Sequence, residues 1–224
     1  MSVTFTIVSI GTVSSNPFWK EPPGVRTAHA TTTLVQDGAR RILIDPSLPE
    51  IVLASRLFER TGLQPDAITD VFCTTLRPTH RRAIAAFPKA RWLASGAELD
   101  DYRGHLQAMH ESSHRQGGEV DQAIHVDIEI LQRFQPAPDK LTDVVDLFPL
   151  PGPSEGHAGL LVAGATRTVI VAGDAALTID HVLAGQVWSG CQDVEAAMQS
   201  LTEILEIADL IVCGHDNYMI SPGR

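Results

Sequence analysis

Four short polar phrases carry the chemistry of this sequence, and each follows an apolar run rich in β-branched residues. Residues 68–74 lead into Thr75-Leu76-Arg77-Pro78-Thr79-His80, and residues 144–150 into Pro151-Gly152-Pro153-Ser154-Glu155-Gly156-His157. Residues 168–172 lead into Gly173-Asp174, and 210–213 into Gly214-His215. Each phrase ends at His or Asp, the side chains that ligate divalent cations and act as general acids and bases. In layered α/β proteins ligands gather beyond strand ends, where these phrases fall. His110 and His114 stand i,i+4, so one helix face would bring both to a metal; an exposed polar face explains them equally. Ser154-Glu155-Gly156-His157 holds a serine, an acid and a histidine, but the chain has neither a G-x-S-x-G elbow nor a G-x-x-x-x-G-K-[ST] phosphate loop.

Positioning these phrases requires strands. Residues 3–10 form a first strand that breaks at Gly11 and enters a long loop through Ser14-Ser15-Asn16-Pro17 and Glu21-Pro22-Pro23-Gly24. Strands at 30–35 and 41–45 flank Asp37-Gly38, a pair suited to the positive φ of a tight hairpin. Residues 49–61 form a helix with Ile51, Val52, Ser55, Leu57 and Phe58 in helical spacing, closed by Gly62. A short helix over 80–87, closed by Pro88, precedes a strand at 91–94. Residues 96–135, with Glu98, Asp100, Asp101, His105, His110 and His114, suggest a polar helical insertion outside the core, placed to serve as a lid. A second hairpin joins 159–163 to 168–172 through Gly164-Ala165-Thr166-Arg167. Residues 194–207 form an amphipathic helix with Ala197, Leu201, Ile204 and Leu205 inward, before a last strand at 210–213. The two halves share a strand, strand, helix, strand rhythm, which predicts two packed sheets with helices outside.

The order of these phrases resembles the metallo-β-lactamase superfamily over nearly the whole chain. The resemblance is carried by Ile42-Leu43-Ile44-Asp45-Pro46, Phe87-Pro88-Lys89-Ala90, Gly156-His157, Ala172-Gly173-Asp174-Ala175 and Ala208-Asp209-Leu210-Ile211-Val212-Cys213-Gly214-His215-Asp216. It implies a single α/β domain over 1–224, a four-layer αββα sandwich of two mixed β-sheets with helices on the outer faces, and a metal site at one edge. The family's H-x-H-x-D-H loop falls on Thr75 to His80, so Thr75, Arg77 and Thr79 stand at ligand positions and only His80 is retained. Pro153 stands where the first His of G-H-T-x-G-H belongs, and His157 matches the second, supporting His. Asp174 matches the bridging carboxylate and His215 the final ligand. By this carry-over the first metal position loses its ligands at Thr75, Arg77 and Pro153, while the second keeps His80, Asp174 and His215.

Threonine is a poor neutral ligand, proline offers no side-chain donor, and a guanidinium has no free lone pair. A dication about 5 Å from Arg77, at an effective dielectric of about 20, would be repelled by roughly 6–7 kcal/mol. The first position is therefore expected to be empty, with the Arg77 charge standing in place of a cation and pairing with Asp174. Cofactor content is then none or one divalent metal, zinc, iron or manganese, at His80, Asp174 and His215. For each of these three, a hydrogen-bonded structural role is the competing reading. Two functions compete as well, the first being the favoured reading and the second its alternative. One is a ligand-binding relative without hydrolysis, in which Arg77 contacts an anion. The other is a single-metal hydrolase of an ester, lactone, thioester or phosphoester, in which Arg77 contacts the oxyanion.

Composition bounds both readings. The 224 residues are 44% hydrophobic and 20% charged, enough apolar content for one substantial core. Lys and Arg total 17 against 27 Asp and Glu, a formal charge of -10, which argues against nucleic-acid or anionic-membrane partners and leaves a small, anionic molecule as the expected ligand. No apolar run reaches a membrane span and no signal peptide is evident, so a cytoplasmic protein is expected, with homodimerisation open. Cys73, Cys191 and Cys213 form no C-x-x-C pair and suggest small buried hydrophobes. Arg81-Arg82 suggest a solvated helix start or an anion-steering cluster. Pro17, Phe18, Trp19, Tyr102 and Trp188 are candidate pocket walls, and His29 a minor candidate for the same pocket.

Overall fold

The computed structural model describes residues 2–115 and 122–222. Strands β1 (Thr4–Ser9), β2 (Thr32–Asp37), β3 (Arg40–Ile44), β4 (Asp70–Phe72), β5 (Arg91–Ala94) and β6 (Phe134–Pro136) lie side by side in chain order in one sheet. The second sheet has the order β12 (Tyr218–Ile220), β11 (Leu210–Cys213), β10 (Thr168–Gly173), β9 (Ala158–Ala163), β8 (Val145–Pro149) and β7 (Lys140–Thr142). Both sheets are mixed. β3, β4, β5 and β6 pair in parallel, as do β10 and β11, while the remaining pairs, including the edge strands β1, β7 and β12, are antiparallel.

Three apolar layers hold the sandwich together, and the period-2 alternation of the strands assigns each residue its layer. Val35, Ile42, Ile44, Phe72 and Leu93 of the first sheet meet Leu160, Val162, Val169, Val171 and Val212 of the second between the sheets. The neighbours Leu34, Leu43, Val71 and Trp92 face the other way. They pack against Leu53 and Leu57 of α1 (Glu50–Thr61), Leu76 and Ala83 on either side of the short α2 (Pro78–Arg81), Leu99 of α3 (Gly96–Arg115) and Ile130 and Leu131 of α4 (Gln122–Arg133). Ile170, Ala172, Ile211 and Cys213 pack against Val182 of α5 (Ile179–Ala184) and Leu201 and Ile204 of α6 (Val194–Ile207). The result is the expected four-layer αββα sandwich.

Both hairpins form where expected, the first turning on Gly38 with φ of +57°. Other expectations need correction. In α1 the buried stripe is Leu53 and Leu57, one turn apart, whereas Ile51 and Phe58 are 84% and 53% exposed. The short helix expected at 80–87 is split: Pro78 starts α2 earlier, and Ile84–Ala86 forms a separate 3-10 turn. Strands β6, β7 and β12, three residues each, are too short for a periodic signal. Within the stretch expected as a polar insertion, residues 96–115 and 122–133 are helical, but Glu98, Leu99, Leu106 and Ile124 are buried, so these helices cover the first sheet. Arg81 is also buried: its guanidinium donates to Leu76 O, Tyr102 Oη and Asp127 Oδ1, so it ties the 75–80 loop to α3 and α4 and does not steer anions. Cys73 and Cys213 are buried as expected, and Cys191 is half-buried. Among the described residues, no helix is long and apolar enough to cross a membrane.

Candidate metal and ligand site

The C-terminal ends of β3, β4, β10 and β11 and the start of β9 open on one edge of the sandwich, and the polar phrases meet there. Two glycines allow the close approach. Gly173 has φ of +54°, and a Cβ on it would lie 2.6 Å from Thr74 Oγ1 and 2.8 Å from His157 Nε2. A Cβ on Gly214 would lie 2.5 Å from the Gly173 backbone. Small residues at both strand ends thus let Asp174 and His215 come together.

Asp174 Oδ1 lies 3.3 Å from His80 Nε2 and 3.2 Å from His215 Nε2. Asp174 Oδ1 and His80 Nε2 are buried without a hydrogen-bond partner. The opposite ring atoms are engaged. His215 Nδ1 faces two carbonyl acceptors, His29 O at 2.9 Å and Thr12 O at 3.1 Å, so it must carry the proton. His80 Nδ1 lies 3.3 Å from Thr74 Oγ1, which donates to Asp45 Oδ2 at 2.8 Å, and Asp45 also accepts from Thr74 N at 2.9 Å. The Thr74 hydroxyl proton is therefore spent on Asp45, and His80 Nδ1 donates to the hydroxyl oxygen. Both histidines direct Nε2 at Asp174. His157 is different: its Nδ1 donates to Leu150 O at 3.0 Å and its Nε2 accepts from Asp174 N at 3.1 Å. Burial holds it below the usual histidine range, and it positions the backbone of Asp174 as a neutral ring.

The three unspent donor atoms lie within 4.8 Å of one another. A tetrahedral zinc with ligands at roughly 2.0–2.1 Å spaces them about 3.3 Å apart, which matches the two measured separations to Asp174. Histidine ligands with Nδ1–H held by an acceptor are also how protein metal sites orient imidazole. The donor set fits one cation. In its absence a proton takes the same place: burial disfavours charge on His80, but Asp174 and Asp45 outweigh it and push its pKa up to about 10. Burial alone would raise the Asp174 carboxyl, yet His80 and His215 hold it well below the usual carboxylate range.

The positions around the other side of Asp174 do not fit a cation. Arg77 Nη1 donates to Asp174 Oδ2 at 2.9 Å and Nη2 to Pro153 O at 2.5 Å. The guanidinium stacks on Trp188, with Cζ 4.4 Å from the ring centroid. Thr75 Oγ1 turns away and donates to the buried Glu98 Oε1 at 2.7 Å, beside Leu76 N on the same oxygen, while Ser154 Oγ donates to Oε2 at 2.5 Å. One guanidinium and one carboxylate thus link the 75–77 and 153–154 segments. Thr79 keeps its side chain at the pocket wall, and its carbonyl accepts from Ser47 Oγ.

A cavity of about 450 Å³ opens over Arg77, Asp174 and His215, walled by residues including Ser14, Pro17, Thr79, His181, Trp188 and Ser189. Of the expected walls, Pro17 and Trp188 line it. Trp19 instead lies under Arg26, Phe18 packs edge-on against His181, and Tyr102 bonds Arg81 and Asp127. Among the described residues, none of α3 or α4 lines this cavity, and their described parts cover the first sheet instead of serving as the expected lid. His110 has its ring near His125, with centroids 6.5 Å apart, and His105 lies against Tyr102; the His114 side chain lies outside the described residues. Asp45, Thr74, Glu98 and His181 were not anticipated as site residues. Asp45 stands at a strand end before Pro46, like the collected phrases, and Ser95-x-x-Glu98 has a capping-box spacing, realised as Glu98 N donating to Ser95 Oγ at 3.0 Å. His181 follows no strand and gave no signal of that kind.

A family model described as the Metallo-beta-lactamase superfamily matches residues 26–215. No curated protein matches. Among solved structures, a Thermotoga maritima protein assigned as a metallo-beta-lactamase aligns with a TM-score of 0.71 at 17% identity, covering 98% of this chain and 100% of that one. AidC, a dizinc quorum-quenching lactonase in complex with N-hexanoyl-L-homoserine, aligns with a TM-score of 0.64 at 18% identity, over 83% and 72%. A Bacillus thuringiensis AiiA variant with N-decanoyl-L-homoserine at its active site aligns with a TM-score of 0.65 at 19% identity, over 96% and 93%.

Proposed function

Since this chain belongs to the metallo-β-lactamase superfamily, we propose that it binds one divalent cation at His80, Asp174 and His215 and hydrolyses a small ester-type molecule, with Arg77 serving in place of a second cation. The supporting observation is the convergence of three unspent donor atoms below a cavity, beside a guanidinium fixed on Asp174 Oδ2. A cation held by three protein ligands supplies Lewis acidity and lowers the pKa of water. The protein groups do the rest. Thr74 with Asp45, and the carbonyls of Thr12 and His29, keep the two imidazoles oriented. Arg77, held on two acceptors and stacked on Trp188, lines the cavity, where its remaining N–H donors would stabilise a developing oxyanion without reorganisation. Among the expected candidates, ester, lactone, thioester and phosphoester, lactones gain support because two structural neighbours carry acyl-homoserine ligands and one is a lactonase.

A second reading, binding of an anionic small molecule without turnover, has its own support. Arg77 and protonated His80 balance Asp45 and Asp174 in charge, so the cluster closes electrostatically without a cation. Elemental analysis of protein purified without chelator, combined with turnover of p-nitrophenyl acetate, γ-butyrolactone, an acyl thioester and bis-p-nitrophenyl phosphate, tests the proposal. One equivalent of metal with metal-dependent turnover of one substrate is expected. Two equivalents, or one equivalent with no turnover of any, overturns it.

A further inference from the structure

His181 is the cavity residue that neither the cation site nor Arg77 explains. The residue is 5% exposed, yet it lines the cavity. Thr178, the N-cap of α5, accepts from His181 N at 3.3 Å and lies 2.7 Å from His181 Nδ1 through the same hydroxyl. That hydroxyl is buried and has one proton to place. If Nδ1 were the donor, the hydroxyl would accept twice and its own proton would have no acceptor, which costs a buried hydrogen bond. The hydroxyl therefore donates to Nδ1, and the ring proton sits on Nε2, which has no partner among the described residues.

The ring is also fixed mechanically. Phe18 packs against it edge-on, with centroids 4.9 Å apart. Asn16 holds Phe18 in place through its Oδ1, which accepts from Phe18 N at 3.0 Å, and bonds α5 directly through Nδ2 to Asp180 Oδ2 at 2.8 Å. The first loop and α5 are thereby clamped together around one imidazole. Burial lowers the His181 pKa, against the opposing pull of Asp180, so the ring is uncharged at neutral pH. Such freezing removes the rotamer entropy that a binding contact would otherwise lose.

We propose that His181 is a ligand-contacting residue whose Nε2–H donates to an oxygen of a small carboxylate or carboxylic ester, while Arg77 takes the charged or developing-charge end. The inference rests on the reading of this cavity as the ligand pocket, and it names the class: carboxylic acids and their esters, with two oxygens to satisfy two separate donors.

Long-range ¹H–¹⁵N spectra of histidine-labelled protein, with His181 assigned through His181→Gln, read the tautomer directly. Butyrate is the probe, added to protein both as purified and after cation loading. The expected result is a protonated Nε2 that shifts on butyrate addition, with affinity falling about five- to tenfold in both His181→Gln and Thr178→Val, as loss of one hydrogen bond predicts. A proton on Nδ1, no shift at His181, or unchanged affinity in both variants overturns it. Metal content and ester turnover are measured separately. A protein that loads one cation and turns over ester, but whose His181 ignores butyrate, fails this inference alone. A butyrate response at His181 without metal or turnover sustains it while the hydrolase reading fails.

Discussion

The two oxygens of Asp174 have separate partners: Oδ2 accepts from Arg77 Nη1 at 2.9 Å, while Oδ1 faces His80 and His215 at 3.3 and 3.2 Å. One carboxylate therefore meets a permanent cation on one side and an open donor set on the other. The guanidinium cannot be displaced by pH, so the asymmetry belongs to the chain and not to conditions.

Removing that charge changes cation affinity. Arg77→Ala frees Asp174 Oδ2 and deletes a repulsion of several kcal/mol at close range, so cation binding is expected to tighten at least tenfold. Calorimetric titration with zinc measures it, and weaker binding in the variant would contradict the placement of Arg77 beside the cation.

His80→Ala and His215→Ala each remove one of three donor atoms. Loss of a group that merely orients a ligand costs 10- to 100-fold in metal affinity, so loss of the ligand itself is expected to exceed about 100-fold. Chelator treatment of the parent protein should reproduce the loss of ester turnover, and re-addition of metal should restore it.

Glu98 accepts from Thr75 Oγ1, Leu76 N and Ser154 Oγ while buried. Glu98→Ala strands three donors and is expected to destabilise the fold by about 2–4 kcal/mol in urea unfolding. Glu98→Gln keeps the acceptor on one oxygen and should lose less.

Gly173→Ala places a methyl 2.6 Å from Thr74 Oγ1 at a φ of +54°. Strain and clash together are expected to remove about 2–4 kcal/mol of stability and to displace Asp174, lowering cation affinity as well. Thermal melting and zinc titration of the same preparation separate the two effects.

One component of the pH dependence of stability comes from His181, beside those of His80, His157 and Asp174. The folded pKa of His181 is lowered by burial, so the unfolded chain binds this proton more readily than the native one. Its contribution is full above the unfolded value of about 6.5 and is lost as pH falls through the folded value. The drop in melting temperature between pH 7.5 and 5.5 should be smaller in His181→Gln than in the parent; an equal drop would contradict the assignment.

The strand and helix patterns, the two hairpins and the polar phrases at strand ends were legible in the residues, because alternation, helical spacing and turn chemistry are local properties of the chain. That Arg77 and Pro153 offer no side-chain lone pair to a cation was legible too, whereas their standing at ligand positions came from the family resemblance. Tertiary structure alone decided the pairings. Arg77 and Asp174 are 97 positions apart, and nothing local states that a guanidinium reaches that carboxylate and the Pro153 carbonyl. Glu98 and Arg81 appeared solvated by residue type, but long-range donors and acceptors let both be buried. His181 shows the same limit: its chemistry depends on where one Thr178 proton goes, which only the surrounding hydrogen-bond geometry determines.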